Sequence, residues 1–78
     1  MIKFKIKYEK INLPDLEIID KFNYAKFRHI VNDTTIYTLR YEEEIRVFGV
    51  YSNEKRVNSV KVLNAKKYFE DGFWIKIN

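Results

Sequence analysis

From Ile2 to Tyr8 the chain alternates without a break, with Ile2, Phe4, Ile6 and Tyr8 on one face and Lys3, Lys5 and Lys7 on the other. A period of two with one apolar side is the pattern of a half-buried strand. Leu13-Pro14-Asp15 then marks a helix start, with proline in the first turn and Asp15, Glu17 and Asp20 near the positive end of the helix dipole. Leu16, Ile19 and Tyr24 form the expected buried stripe of that helix.

Residues 24–31 fit two patterns. Tyr24, Phe27, Ile30 and Val31 continue a helical stripe, whereas Ala25, Phe27, His29 and Val31 make one face of a strand against Lys26, Arg28 and Ile30. The strand is favoured, because the segment is aromatic and β-branched and runs through turn residues into an evident strand, Thr34 to Tyr41. A three-residue loop at 32–34 sets His29 opposite Tyr37 and Phe27 opposite Leu39. A second, Glu42-Glu43-Glu44, sets Tyr41 opposite Ile45 and Leu39 opposite Val47, and a four-residue loop, Ser52 to Lys55, sets Val47 opposite Val60 and Ile45 opposite Val62. All these residues then share one apolar face, which assigns Val47 to the core; a slip of one position would reverse any of the strands. Asn64 is a suitable cap for a short helix over 65–71, stopped by Gly72 where a left-handed residue is needed, although Asp71-Gly72 also suits a hairpin. Phe73 to Ile77 reads as a closing strand. The expected fold is mainly β (α+β), a small curved antiparallel sheet or barrel of about six strands with one or two short helices.

Length adds a constraint. A chain of 78 residues makes one domain, 1–78, and buries only about 60% of its unfolded surface. With no cysteine, neither disulfides nor a Cys-based metal site supplements the core. Aromatic residues, 17% of the chain, supply it instead, or dimerisation does. The lack of cysteine, of an apolar run after the early lysines and of any membrane-length stretch leads us to expect a cytoplasmic chain with no signal peptide and no membrane association.

Catalytic chemistry is poorly provided for. A serine triad would have to recruit the single histidine, His29, which this register places on the core side facing Tyr37. A buried ring satisfied by a hydrogen bond is the better reading of it. Glu42-Glu43-Glu44 lacks the spaced oxygen ligands of a calcium loop and reads as a solvated turn. Pro14-Asp15 with Glu44-Ile45-Arg46 loosely resembles the acidic constellation of metal-dependent nucleases, without the lysine usual there. No glycine-rich phosphate loop is present. Neither an enzyme nor a cofactor is expected.

Charge is more informative by position than in total. The net value is +4 and the pI about 9.3, a modest bias towards anionic partners. In the meander, however, Lys26, Arg28, Arg40, Arg46 and Lys61 collect with Phe48 on the face opposite the core, and the acids fall in turns and helices. Arg40 opposite Arg46, itself opposite Lys61, is a row that stability alone disfavours. Cations beside an exposed ring are what a single-stranded nucleic-acid platform uses. Ile30, Ile36, Phe48, Val50 and Val57 on the same face support the competing reading, a second core layer covered by the first helix, with cations at its rim.

Two kinds of anionic partner follow for a non-enzymatic binding module: single-stranded nucleic acid or RNA, contacted by Lys26, Arg28, Arg40, Arg46 and Lys61 with Phe48 stacking; or an acidic protein surface. The second would make it an inhibitor or adaptor of a host nucleic-acid-processing protein, a role common among phage and mobile-element proteins of this composition. A structural subunit that forms a homo-oligomer is the third expectation.

Overall fold

A computed structural model describes residues 13–78, with Asn32 and Asp33 as backbone only. The expected strand from Ile2 to Tyr8 lies outside the described residues. Helix α1 spans Leu13–Phe22, with Pro14 and Asp15 in its first turn and Lys21 in its last. Strands β1 (Lys26–His29), β2 (Asn32–Glu42), β3 (Val47–Ser52) and β4 (Lys55–Val60) follow as a meander, then helix α2 (Val62–Glu70) and strand β5 (Trp74–Lys76). The strands form one antiparallel sheet in the order β4-β3-β2-β1-β5. The mainly β, α+β expectation holds. The sheet stays open, although its edge strands β4 and β5 curl far enough to line one cavity together. No described helix is long and apolar enough to cross a membrane.

Both helices pack on one face. Ile18, Ile19 and Phe22 of α1 and Val62 and Ala65 of α2 are buried against Phe27, Leu39, Phe48, Val50 and Trp74 of the sheet. Phe69 joins the layers: its ring stacks on Phe22 at 4.5 Å and meets Phe27 and Trp74 edge-on at 5.5 and 5.4 Å. Residues 15, 18, 19 and 22 recur at helical spacing, and the last three make the buried stripe. Tyr24, expected in that stripe, lies beyond the helix with φ 66° and is exposed. It closes the helix in the left-handed conformation, and its N–H turns away to donate to the Leu39 carbonyl.

Residues 24–31 contain strand β1 and no helix, as favoured. The hairpins differ from expectation in their turns. Between β1 and β2 the turn is Ile30-Val31, with His29 opposite Asn32. An irregularity in β2 then brings Phe27 opposite Tyr37 instead of Leu39. That is an offset of two, so Phe27, His29, Tyr37 and Leu39 keep their predicted face. Between β2 and β3 the turn is Glu43 to Arg46, which sets Tyr41 opposite Phe48 and Leu39 opposite Val50. That offset is three, and an odd offset turns every side chain of β3 over. Phe48 and Val50, expected outside, are therefore buried; Val47, expected inside, is half-buried beside Glu42 on the opposite face, and Ile45 is exposed in the turn.

The longer turn ends in a left-handed residue, Arg46 (φ 57°), whose N–H donates to the Glu42 carbonyl at 2.7 Å. That conformation costs about 1–2 kcal/mol. Burying a phenylalanine returns about 1.5–3 kcal/mol, and Val50 is buried with it. Core burial outweighs turn strain, and the register follows the core.

Between β3 and β4 the turn is Asn53-Glu54, both with positive φ, in place of the expected four-residue loop. Asn is one of the few side chains comfortable in that conformation, and two such residues form the tight turn that matches strand twist. An extra residue, Val57, bulges from β4 between the pairs Tyr51–Arg56 and Val50–Asn58. The second odd offset restores β4, so Val60 faces the core and Ser59 faces away. Helix α2 begins at Val62, ahead of the expected cap at Asn64; Val62, predicted at a strand position, is the buried first residue of this helix. Gly72 does adopt the left-handed conformation predicted for it (φ 82°).

Candidate nucleic-acid interface

The sheet face turned away from the helices is built by alternation. Across it runs the row Lys26, Thr38, Tyr51 and Arg56, one residue from each strand of the meander; Arg40, Gly49 and Ser59 form the next row, and Glu42 and Val47 the third. Arg28, opposite Ile75, extends it towards β5. Among the described residues the face thus carries Lys26, Arg28, Arg40 and Arg56 against one carboxylate, Glu42, with Glu54 at its border.

The centre of the face is a network over Gly49. The Arg40 guanidinium lies 4.6 Å from the centre of the Tyr51 ring, and the Tyr51 hydroxyl donates to Glu42 Oε2. A Cβ at position 49 would stand 2.7 Å from that Glu42 oxygen, 2.8 Å from a Tyr51 ring carbon and 3.2 Å from Arg56 Cδ. Glycine is needed here because three neighbouring side chains fold across it. The bond to the carboxylate, followed by desolvation, raises the Tyr51 phenol above its ordinary 10.0. Tyr41, on the other face, is raised chiefly by burial.

Of the predicted contact residues, Lys26, Arg28 and Arg40 come together on this face. Arg46 belongs to the β2–β3 turn, and Lys61 stands just before α2, beyond the end of β4. Phe48, expected to stack on a partner, is completely buried beneath the helices and touches Tyr41 edge-on at 5.9 Å. The competing covered-layer reading therefore describes β3, and the basic-face reading describes β1 and β2. Tyr51 and Arg56 were missed. The expected four-residue loop already pairs them; it was the expected β2–β3 turn, wrong by an odd offset, that put both on the core side.

His29 pairs with Asn32 and not with Tyr37, but its ring still meets that of Tyr37 edge-on, with centroids 6.4 Å apart. Its Nε2 accepts a hydrogen bond of 3.3 Å from Trp74 Nε1, and its Nδ1 is buried with no partner among the described residues. The described residues contain no cluster of His, Asp and Glu arranged to hold a metal ion. No known family model matches the chain, and neither a curated protein nor a solved structure is similar to it.

Proposed function

We propose that the chain is a small non-enzymatic binding module whose sheet face opposite the described helices engages single-stranded nucleic acid. The observation that carries this reading is the segregation of Lys26, Arg28, Arg40 and Arg56 onto one sheet face with Glu42 as its single carboxylate among the described residues. Phosphates meet the four cations and release condensed counterions. The Arg40–Tyr51 pair offers a guanidinium plane and a ring where bases stack. Neutralising four phosphates gives a salt slope of about −3 for a single strand, at about 0.7 per contact.

Anisotropy of labelled mixed-sequence oligonucleotides over a salt series tests this. Affinity should fall log-linearly with that slope, and Arg40→Glu, at an exposed position, should weaken binding about tenfold or more while leaving the fold intact. Absence of binding at low salt overturns the proposal and favours the acidic protein partner, which the same arginines would hold through carboxylates.

A further inference from the structure

Glu42 is an unexpected residue on a surface that meets phosphates. It stands beside Val47 in the third row of the outer face, two residues along β2 from Arg40, or about 7 Å at the antiparallel rise. A phosphate beside a carboxylate is repelled as strongly as one at the same distance from an arginine is attracted. Arg56 and the turn's Arg46 lie close by, yet Glu42 makes no ion pair with any described residue. The neutral Tyr51 hydroxyl holds its Oε2 instead. A carboxylate has about four acceptor sites, and that bond fills one.

The side chain is reachable. Glu42 is half-buried, and it lines an open cavity of about 630 Å³ together with Glu43, Glu44, Ile45, Tyr51 and Arg56. Charge therefore changes along the face. Arg28, Lys26 and Arg40 occupy its first rows, whereas three carboxylates and Arg56 line the cavity at its far end. A strand held by its phosphates on the cationic rows is kept from placing another phosphate in that cavity. What can enter is the uncharged edge of a base, and a carboxylate selects among edges because it only accepts hydrogen bonds. Uracil sets one N–H between two carbonyls, which a carboxylate repels. Adenine and cytosine each set one amine beside an acceptor nitrogen. Guanine sets two donors side by side, N1–H and the N2 amine, spaced to meet the two oxygens of one carboxylate.

We propose that Glu42 reads guanine in the strand bound to this face, its carboxylate accepting from N1–H and the N2 amine of one base. Arg40 is exposed; one side of its guanidinium rests on the Tyr51 ring, and the other receives the stacked base. The Tyr51 bond fixes the carboxylate before the strand arrives, so little side-chain freedom is lost on binding. This specificity rests on the nucleic-acid reading of the face, and the two fail under different results.

Anisotropy of short labelled oligouridylates with uridine, guanosine, inosine or adenosine at the centre, at one salt concentration, provides the test. The central guanosine should tighten binding to the full chain about tenfold over uridine. Inosine, which lacks only the 2-amino group, should recover about threefold, and so should adenosine, a purine that stacks similarly but has no donor pair. Glu42→Gln leaves Tyr51 an acceptor but removes the charge and one acceptor oxygen. It should bind the all-uridine strand more tightly than the parent does, and lose the guanosine advantage to within about twofold. Circular dichroism checks its fold; if it does not fold, the comparison of guanosine, inosine and adenosine in the parent decides alone. Equal affinity for the guanosine and uridine strands overturns the proposal. So does an inosine or adenosine gain equal to that of guanosine, or an undiminished guanosine advantage in folded Glu42→Gln. Strands that bind with the expected salt slope but without preference remove guanine reading and leave the basic face. No binding of any strand at low salt removes both.

Discussion

The inverted register of β3 makes opposite demands on two adjacent residues. Phe48 is fully buried, packed edge-on against Tyr41 and opposite Val60, whereas Val47 is half-buried beside Glu42 on the face without helices. Removing a buried phenylalanine ring costs about 3–5 kcal/mol, transfer and cavity together. At about 0.05–0.15 kcal/mol per residue, 78 residues have a total stability of about 4–12 kcal/mol. Phe48→Ala should thus remove about a quarter or more of the stability and leave the less stable end of that range unfolded. Phe48→Leu retains most of the volume and should cost about 1.5 kcal/mol or less, which keeps the effect measurable. Val47→Lys, with its ammonium beside Glu42, should stay within about 1 kcal/mol of the parent. Urea unfolding followed by circular dichroism and Trp74 emission measures all three. If Val47→Lys unfolds the protein while Phe48→Ala melts like the parent, β3 faces the other way and the three-residue Glu42–Glu44 loop is correct.

Other consequences are independent of that one. Glu54 occupies the left-handed region at the second position of the β3–β4 turn, so Glu54→Gly should raise stability by about 0.5–1 kcal/mol; a fall in thermal midpoint would contradict the turn geometry. Gly49→Ala should destabilise by about 1–3 kcal/mol, because its Cβ would meet the Tyr51 ring and the Glu42 carboxylate; a stabilised variant in the same urea assay would mean that the network does not lie over Gly49. The Tyr51 phenol titrates above 10.0 in the folded protein because its hydroxyl donates a hydrogen bond to Glu42, so the resulting stability is fully present below about pH 10 and is lost as pH rises through the raised value. Glu42→Gln should move that titration back towards 10.0, read as the difference in alkaline ultraviolet absorbance between parent and variant; an unmoved midpoint would sink the assignment.

Much of this fold is visible locally. Pro14 with Asp15 marks the start of α1, Gly72 ends the chain reversal after α2, and the aromatic and β-branched content of residues 24–31 distinguishes β1 from a helix. Lys26, Arg28 and Arg40 were likewise identifiable as face partners, because the error in the first hairpin was even and left their parity intact. Tyr51, Arg56 and the true position of Phe48 were not, since each depended on how many residues the β2–β3 turn consumes.

What the sequence alone determined, then, is where the described strands of the meander run and, except across the Val57 bulge, which residues within a strand share a side. Which side of each strand faces the core was decided by tertiary structure. Side chains alternate with a period of two, so one residue more or fewer in a turn reverses an entire strand, and the turn's own preferences differ by only about 1–2 kcal/mol. Burial of Phe48 and Val50 beneath α1 and α2 exceeds that difference and selects a turn ending in left-handed Arg46. The cavity that β4 and β5 line together depends still more on tertiary structure, because it exists only where these strands, at opposite edges of the sheet, curl towards each other across residues distant in the chain.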